Sequence, residues 1–241
     1  MMKSLVILIA LMMTAHAFAE DIEVPEEELA RESTLPVFSK RRAVLNRNVL
    51  TAKRMEVGVG GGMEMNEPFY NDFMGQVQGT YNMNETSAIN VQWLYWMSGL
   101  SSYGEQLKAG KTSGAHQFRP FDAMKAPHPQ WGLFTNYEYI AYYGKISVSK
   151  QTVMNLNLFG IAGIGYINMG AVNTFGLNLG LGQNFFFTKN FGVRADLRWL
   201  IFQGPDATSQ RLDTTDHPTA GSFSNRIFYN TQLGLSLVYI L

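Results

Sequence analysis

In the stretch QLGLSLVYIL (residues 232–241), Leu233, Leu235, Leu237, Tyr239 and Leu241 share one face, while Gln232, Gly234 and Ser236 begin the other. A period of two places successive side chains on opposite sides of an extended backbone, so the segment reads as a strand with two unlike faces. A free strand edge is a pairing hazard in water. The reading therefore turns on what closes this edge and what the apolar face touches.

Seven earlier segments repeat the alternation. Residues 54–65 set Met55, Val57, Val59, Met63 and Met65 against Arg54, Glu56, Glu64 and glycines. Residues 73–83 and 89–97 set Val77, Tyr81, Val91, Trp93 and Tyr95 against Gln76, Gln78, Thr80, Asn90 and Gln92. Residues 131–148 form one long strand whose parity slips near Ile140 and Ala141, as one bulge residue would cause. Residues 154–167 and 175–187 place leucines opposite Asn155, Asn157, Asn178 and Asn184. Residues 191–202 place Val193, Leu197 and Trp199 opposite Arg194, Asp196 and Arg198, and a closing strand runs over 227–241.

The connections sort by length. Those at 84–85, 149–152 and 188–190 are tight, whereas those at 66–72, 98–130, 168–174 and 203–225 fall at the opposite rim and two are long. Short turns at one rim, longer loops at the other and an even strand number match outer-membrane barrels. The expected fold is all-β: an eight-stranded antiparallel up-and-down transmembrane β-barrel in which the last strand pairs with the first. A soluble lipocalin-like barrel would turn its apolar face inward. Here the more polar face is rich in Gly, Asn and Gln, which suits a narrow filled lumen, and bulky Leu, Val, Phe and Met suit hydrocarbon outside. Tyr95, Tyr166, Trp199 and Tyr229 toward the loops, with Phe187, Phe191 and Tyr239 toward the turns, read as interfacial belts.

Residues 1–19 carry Lys3, an apolar run and a small-x-small site at Ala17-Phe18-Ala19, the pattern of a secretory signal. The mature chain then has 18 basic against 19 acidic residues, which argues against a nucleic-acid partner. Cysteine is absent, removing disulfides and a lipid-anchor cysteine. Residues 20–53, acidic at first and then basic, are expected to form a short N-terminal periplasmic extension, and residues 54–241 the barrel. The implied location is the bacterial outer membrane, reached by the secretory pathway, with both termini periplasmic.

The terminal strand resembles the C-terminal assembly signal of bacterial outer-membrane barrels through Leu233, Leu235, Leu237, Tyr239 and Leu241, with Leu241 where Phe is usual. The barrel has the size of the small OmpA/OmpX-like class. FSKRRAVLNR (38–47), YGKISV (143–148), NLFGIAGIGY (157–166) and FGVRADLRWLIF (191–202) are similar to a family of small outer-membrane barrels of gliding and predatory bacteria. That resemblance implies outer-membrane lipid and the barrel assembly machinery as contacts. It also implies a protein partner in the envelope, in some members the gliding-motility machinery, and a scaffolding role without cofactors.

Four sets of residues are weighed as candidate sites. Arg194, Asp196 and Arg198 share the inward face of one strand, and Glu56, Glu64 and Glu138 are expected as opposite charges in a lumen charge network. His116, His128 and His217 fall in loops with Ser113, Asp122, Asp216 and Ser222 near in sequence, a weak basis for a lipid A-modifying enzyme. Asp206, Asp213 and Asp216 read as solvated loop carboxylates before a calcium site. The long 98–130 loop mixes Tyr103, Phe118 and Phe121 with Lys108, Lys111 and Arg119, which suits an interaction surface. The expected function is a non-catalytic envelope anchor or scaffold; a narrow channel is the first alternative and the enzyme the second.

Overall fold

A computed structural model describes residues 47–110, 120–149, 152–213 and 218–241 of the chain. Eight antiparallel strands close in chain order: β1 (Met55–Glu64), β2 (Tyr70–Asn82), β3 (Ser87–Leu100), β4 (Trp131–Ser149), β5 (Thr152–Asn168), β6 (Asn173–Phe186), β7 (Phe191–Pro205) and β8 (Asn225–Ile240). A helix, α1 (Ser102–Lys108), lies between β3 and β4. The edge of the last strand is closed by the first, in a register that runs from Glu56↔Ile240 to Glu64↔Gln232. The Leu241 N–H donates to the Met55 carbonyl at 2.8 Å, and Arg54 Nε donates to the Leu241 carbonyl at 2.8 Å. With the ladder closed, each strand finds its backbone partners on both sides, the condition for a sheet in hydrocarbon.

Several strands run past their expected ends. Tyr70 pairs with Leu100 and Asp72 with Ser98, which lengthens β2 and β3 at the loop end. The parity slip in β4 is a bulge: Ile140 pairs with Phe159 and Tyr142 with Leu158, leaving Ala141 extra.

Leu233, Leu235, Leu237, Tyr239 and Leu241 all face outward, and Leu235 is 60% exposed. The same holds for Val57, Val77, Val91, Leu133, Ile164, Leu179 and Leu181 on the other strands. Leu156 differs: it is buried, with the outward Tyr142 and Leu156 both crowding Gly144. Tyr95, Trp131, Tyr166, Phe175 and Tyr229 ring the loop end, and Trp131, Tyr166 and Phe175 touch edge to edge or tilted. Tyr81, Tyr137, Tyr139, Phe187, Phe191 and Tyr239 ring the turn end. An apolar band between two aromatic girdles is a surface for lipid, not water.

The lumen is less polar than the sequence pattern suggests. Met74, Leu94, Trp96, Phe134, Ile167, Leu200 and Phe202 fill it toward the loop end. Ile140, Phe159 and Ile161 pack together elsewhere inside. Val49, Phe186, Val238 and Ile240 close the turn end. A barrel of this strand number has just enough interior for side chains, so positions that no ion pair or amide reaches take apolar volume instead.

Residues 47–53, expected in the extension, are packed against the turn end. Val49 is buried in the lumen, and the Asn48 and Val49 N–H groups donate to the Tyr143 hydroxyl at 3.2 and 3.4 Å. Glu85, in the β2–β3 turn, accepts from Arg47, from the Thr51 N–H and hydroxyl, and from the Ala52 N–H. Residues 1–46, with the expected signal sequence, lie outside the described residues.

Candidate functional site

The lumen charges occupy two places. Arg194 on β7 donates to both carboxylate oxygens of Glu138 on β4, at 2.6 and 3.2 Å, and its guanidinium lies 4.2 Å from the centre of the Phe159 ring. Asp196 stands between two arginines, 2.6 Å from Arg198 Nε and 3.5 Å from Arg194 Nε. Glu56 is buried within the field of Arg194, though its Oε1 meets no donor among the described residues. Glu64 is not part of this cluster. It accepts from Trp96 Nε1 at 3.2 Å, from Gln232 Nε2 at 3.4 Å and from Asn230 Nδ2. The expected six-residue network is thus corrected to a cluster of five with Glu64 apart, because alternation fixes the face a residue takes but not its depth.

Side-chain amides fill the space between. Asn178 on β6 donates to Asn136 on β4 at 2.8 Å, Asn136 donates to Asn90 on β3 at 3.0 Å, and Asn90 donates to Thr80 on β2 at 2.8 Å. Gln92 donates to Gln76 at 2.7 Å, and Gln76 to Ser236. Two of these bonds skip a strand. Gly163 pairs with both Asn136 and Asn178, and Gly60 with both Gln76 and Ser236. A Cβ at either glycine would collide with the bridging side chain. These bonds tie the strands to one another across the lumen, although Gln92 Oε1 meets no donor among the described residues. Among the described residues this level is filled, since Arg194, Arg198, Gln92, Asn90 and Asn136 are each at most 2% exposed.

At the loop end the two long connections fold on each other. Ser101 caps α1 by accepting from the Gly104 N–H at 3.0 Å, and donates to the Pro68 carbonyl at 2.6 Å. The Phe121 N–H donates to the Leu107 carbonyl within the β3–β4 loop, and the Asp122 N–H donates to the Leu212 carbonyl, tying that loop to the β7–β8 loop. Ala126, Leu212 and Phe223 form a small core there, with Phe121 and Ala207 against it. The Tyr103 ring stacks on Phe69 at 6.3 Å and is 54% exposed, Phe121 tilts against Phe69 at 5.5 Å, and Lys108 pairs with Asp122 at 3.2 Å. Lys111, Phe118 and Arg119 lie outside the described residues. Expected from sequence as one long loop, this surface is a platform built from two loops.

The residues weighed for catalysis have other partners. His128 Nδ1 is 3.0 Å from the Ala126 carbonyl and the ring tilts against Tyr70, while Asp122 caps a short turn through the Met124 N–H. Asp206 accepts from the Thr208 N–H and hydroxyl, and Ser222 donates to the Thr219 carbonyl. His116, His217, Ser113 and Asp216 lie outside the described residues. Among the described residues no group of three or more His, Asp or Glu side chains is placed to hold a metal ion. A cavity of about 380 Å3 opens beneath the loops, lined by Glu64, Glu67, Asp72, Asp206 and the rings of Phe69, Phe202 and Phe228. It was not legible from sequence, because its walls come from four separate connections and strand ends.

No family model matches the chain, and no curated protein matches it. Solved structures similar to it at low identity include two small barrels. The N-terminal β-barrel domain of Pseudomonas aeruginosa OprF is 12% identical, with 79% of this chain and 98% of that chain covered and a TM-score of 0.41. Neisserial surface protein A (NspA) is 10% identical, with 78% of this chain and 94% of that chain covered and a TM-score of 0.33. The assignment to an eight-stranded closed barrel rests on this chain's own strand order and registers.

Proposed function

We propose that the protein is a non-conducting, non-catalytic anchor of the bacterial outer membrane that presents its loop platform to a protein partner at the cell surface. The carrying observation is the contrast between a filled interior and an organised exterior. Charged, amide and apolar side chains occupy the lumen, whereas the two long loops share a core and display Tyr103. Outer-membrane placement is supported by the apolar belt with its two aromatic girdles. The usual orientation of such barrels puts the short turns, and with them both termini, in the periplasm. Export through the secretory pathway and insertion by the barrel assembly machinery follow from that placement, as does contact with outer-membrane lipid. The packed lumen speaks against the channel reading. A role beside a motility or other envelope-spanning complex rests on the sequence resemblance alone.

The test is to replace residues 102–126 by an Asn-Gly turn in the producing cell. The shortened protein is expected in the outer-membrane fraction with the mobility shift between unheated and boiled samples that a closed barrel gives. It is also expected to lose the in-cell crosslinks that the full chain makes to its partner. Full crosslinking by the shortened protein would refute the platform as the working surface.

A further inference from the structure

We propose that the cavity beneath the loops is a binding site for a small organic ammonium compound, an apolar body carrying a primary amine, with Asp72 as its counter-charge. The inference needs the barrel mouth but no protein partner, so it stands apart from the anchoring role.

The cavity has two kinds of wall. Phe69, Met169, Phe202, Phe228, Pro127 and Pro129 give an apolar enclosure of about 380 Å3, within the size range of small-ligand sites. Glu64, Glu67, Asp72 and Asp206 open onto it, and of the lining residues Arg226 alone carries a permanent positive charge. Arg226 is itself exposed, 6.0 Å from the centre of the Phe228 ring.

Two of the four carboxylates are committed. Glu64 is held by Trp96, Gln232 and Asn230, and Asp206 caps the turn at Thr208. Asp72 is different. It is 4% exposed with the Ser98 hydroxyl beside it, and its Oδ1 meets no donor among the described residues. A buried carboxylate oxygen without a donor is costly, and an N–H from a cation satisfies it with a charge-assisted bond. Glu67, in the β1–β2 loop, points the same way. Burial first and then Asp72 push its carboxyl up to about 7, against the pull of the Phe69 N–H and Arg226. By its lining alone the cavity sets four carboxylates against one arginine.

The walls choose among cations. A hard metal ion seeks several oxygens at once, and the described residues hold no such group. Aromatic faces and prolines instead suit the carbon body of an amine, and the rings add attraction for its charged head. Anions would meet four carboxylates.

Phenethylamine is the probe. Full-length protein in detergent micelles is titrated with it by calorimetry at pH 7.5, beside 2-phenylethanol and empty micelles. Saturable one-site binding of the amine, with none of the alcohol, is expected. Asp72→Asn should weaken it by roughly tenfold or more, whereas Glu105→Gln, on exposed α1, should leave it unchanged. The shift between unheated and boiled mobility verifies folding of each variant. If Asp72→Asn does not fold, Glu67→Gln at the cavity rim replaces it and is expected to weaken binding about two- to threefold. Equal binding of amine and alcohol, amine affinity unchanged in the folded Asp72 (or substitute Glu67) variant, or binding of calcium in place of the amine would each overturn the proposal.

Discussion

Glu138 on β4 and Arg194 on β7 meet across the barrel interior through two hydrogen bonds of 2.6 and 3.2 Å, and both side chains are removed from water. Removing one member of a buried pair leaves the other charge uncompensated, which typically costs about 3–5 kcal/mol. Replacing both by apolar residues of similar volume is often far milder. Glu138→Gln is thus expected to lower the urea midpoint of unfolding much more than the double change Glu138→Leu with Arg194→Met. Asp196, 3.5 Å from Arg194, keeps the single-variant loss toward the lower end of that range. Equal losses in the single and double variants would mean that the pair is not energetically coupled.

The bond from Asn178 to Asn136 passes over Gly163, and its clearance sets a second test. A methyl at Gly163 would press on Asn136 Oδ1 and the Thr135 carbonyl, and neither backbone nor bridging amide can yield freely. Gly160, three residues earlier on the same strand, faces outward with Leu181 Cδ2 at 4.0 Å from an added Cβ. Overpacking of a filled interior costs about 1–3 kcal/mol. Gly163→Ala should therefore destabilise by that amount while Gly160→Ala stays near neutral, both measured by denaturant unfolding in micelles. Similar values for the two would remove the steric role assigned to Gly163.

How much of this was readable beforehand depends on range. The strand number, the β4 bulge and the outward faces follow from period-two alternation, which is local and needs no partner to be seen. Depth is not local. Glu56 and Glu64 share the inward face of β1, but eight residues at about 3.3 Å each separate them by roughly 26 Å, so one joins Arg194 and the other joins Trp96. The loop platform was hidden for a related reason. Asp122 meets Leu212 across ninety residues of chain, and neither loop carries a periodic signal of the contact. Val49 carries no such signal, because it and the exposed Leu50 beside it are adjacent apolar residues without a period, although the lumen that Val49 enters has a fixed volume to fill.

Lipid contact makes a depth-dependent prediction. Leu179 lies mid-strand, 42% exposed and paired with Ala162 and Trp199, while Ile227 lies near the loop end opposite Gln203. An arginine costs about 2–4 kcal/mol at the membrane midplane and about 0–1 near the interface. Leu179→Arg should sharply reduce the heat-modifiable form in outer membranes, and Ile227→Arg should reduce it little. Asn178→Arg is no benign control, because that side chain is buried within the amide chain. If Ile227→Arg proves the worse of the two, the apolar belt does not mark the bilayer.

Residues 47–53 form a strap at the turn end whose bonds converge on one carboxylate, that of Glu85. Burial raises the Glu85 pKa, but the Ala52 N–H, the Arg47 guanidinium and Thr51 lower it further, so the carboxyl sits below its usual range. A folded-state value below the unfolded one gives stability that is complete above the ordinary glutamate pKa, about 4.3. That stability is lost as pH falls through the lower folded value. The Thr51 and Ala52 amide signals in an NMR titration should therefore stay constant from pH 7 to about 5 and move below the ordinary glutamate range. Glu85→Ala removes every acceptor that Arg47, Thr51 and Ala52 share on that side chain. It should open the bonds after Arg47 and Lys53 to trypsin at pH 7.5 while the barrel keeps its mobility shift, since the β-ladder makes no use of Glu85. Trypsin resistance equal to the parent protein would show that Val49 in the lumen, rather than Glu85 in the turn, holds the strap in place.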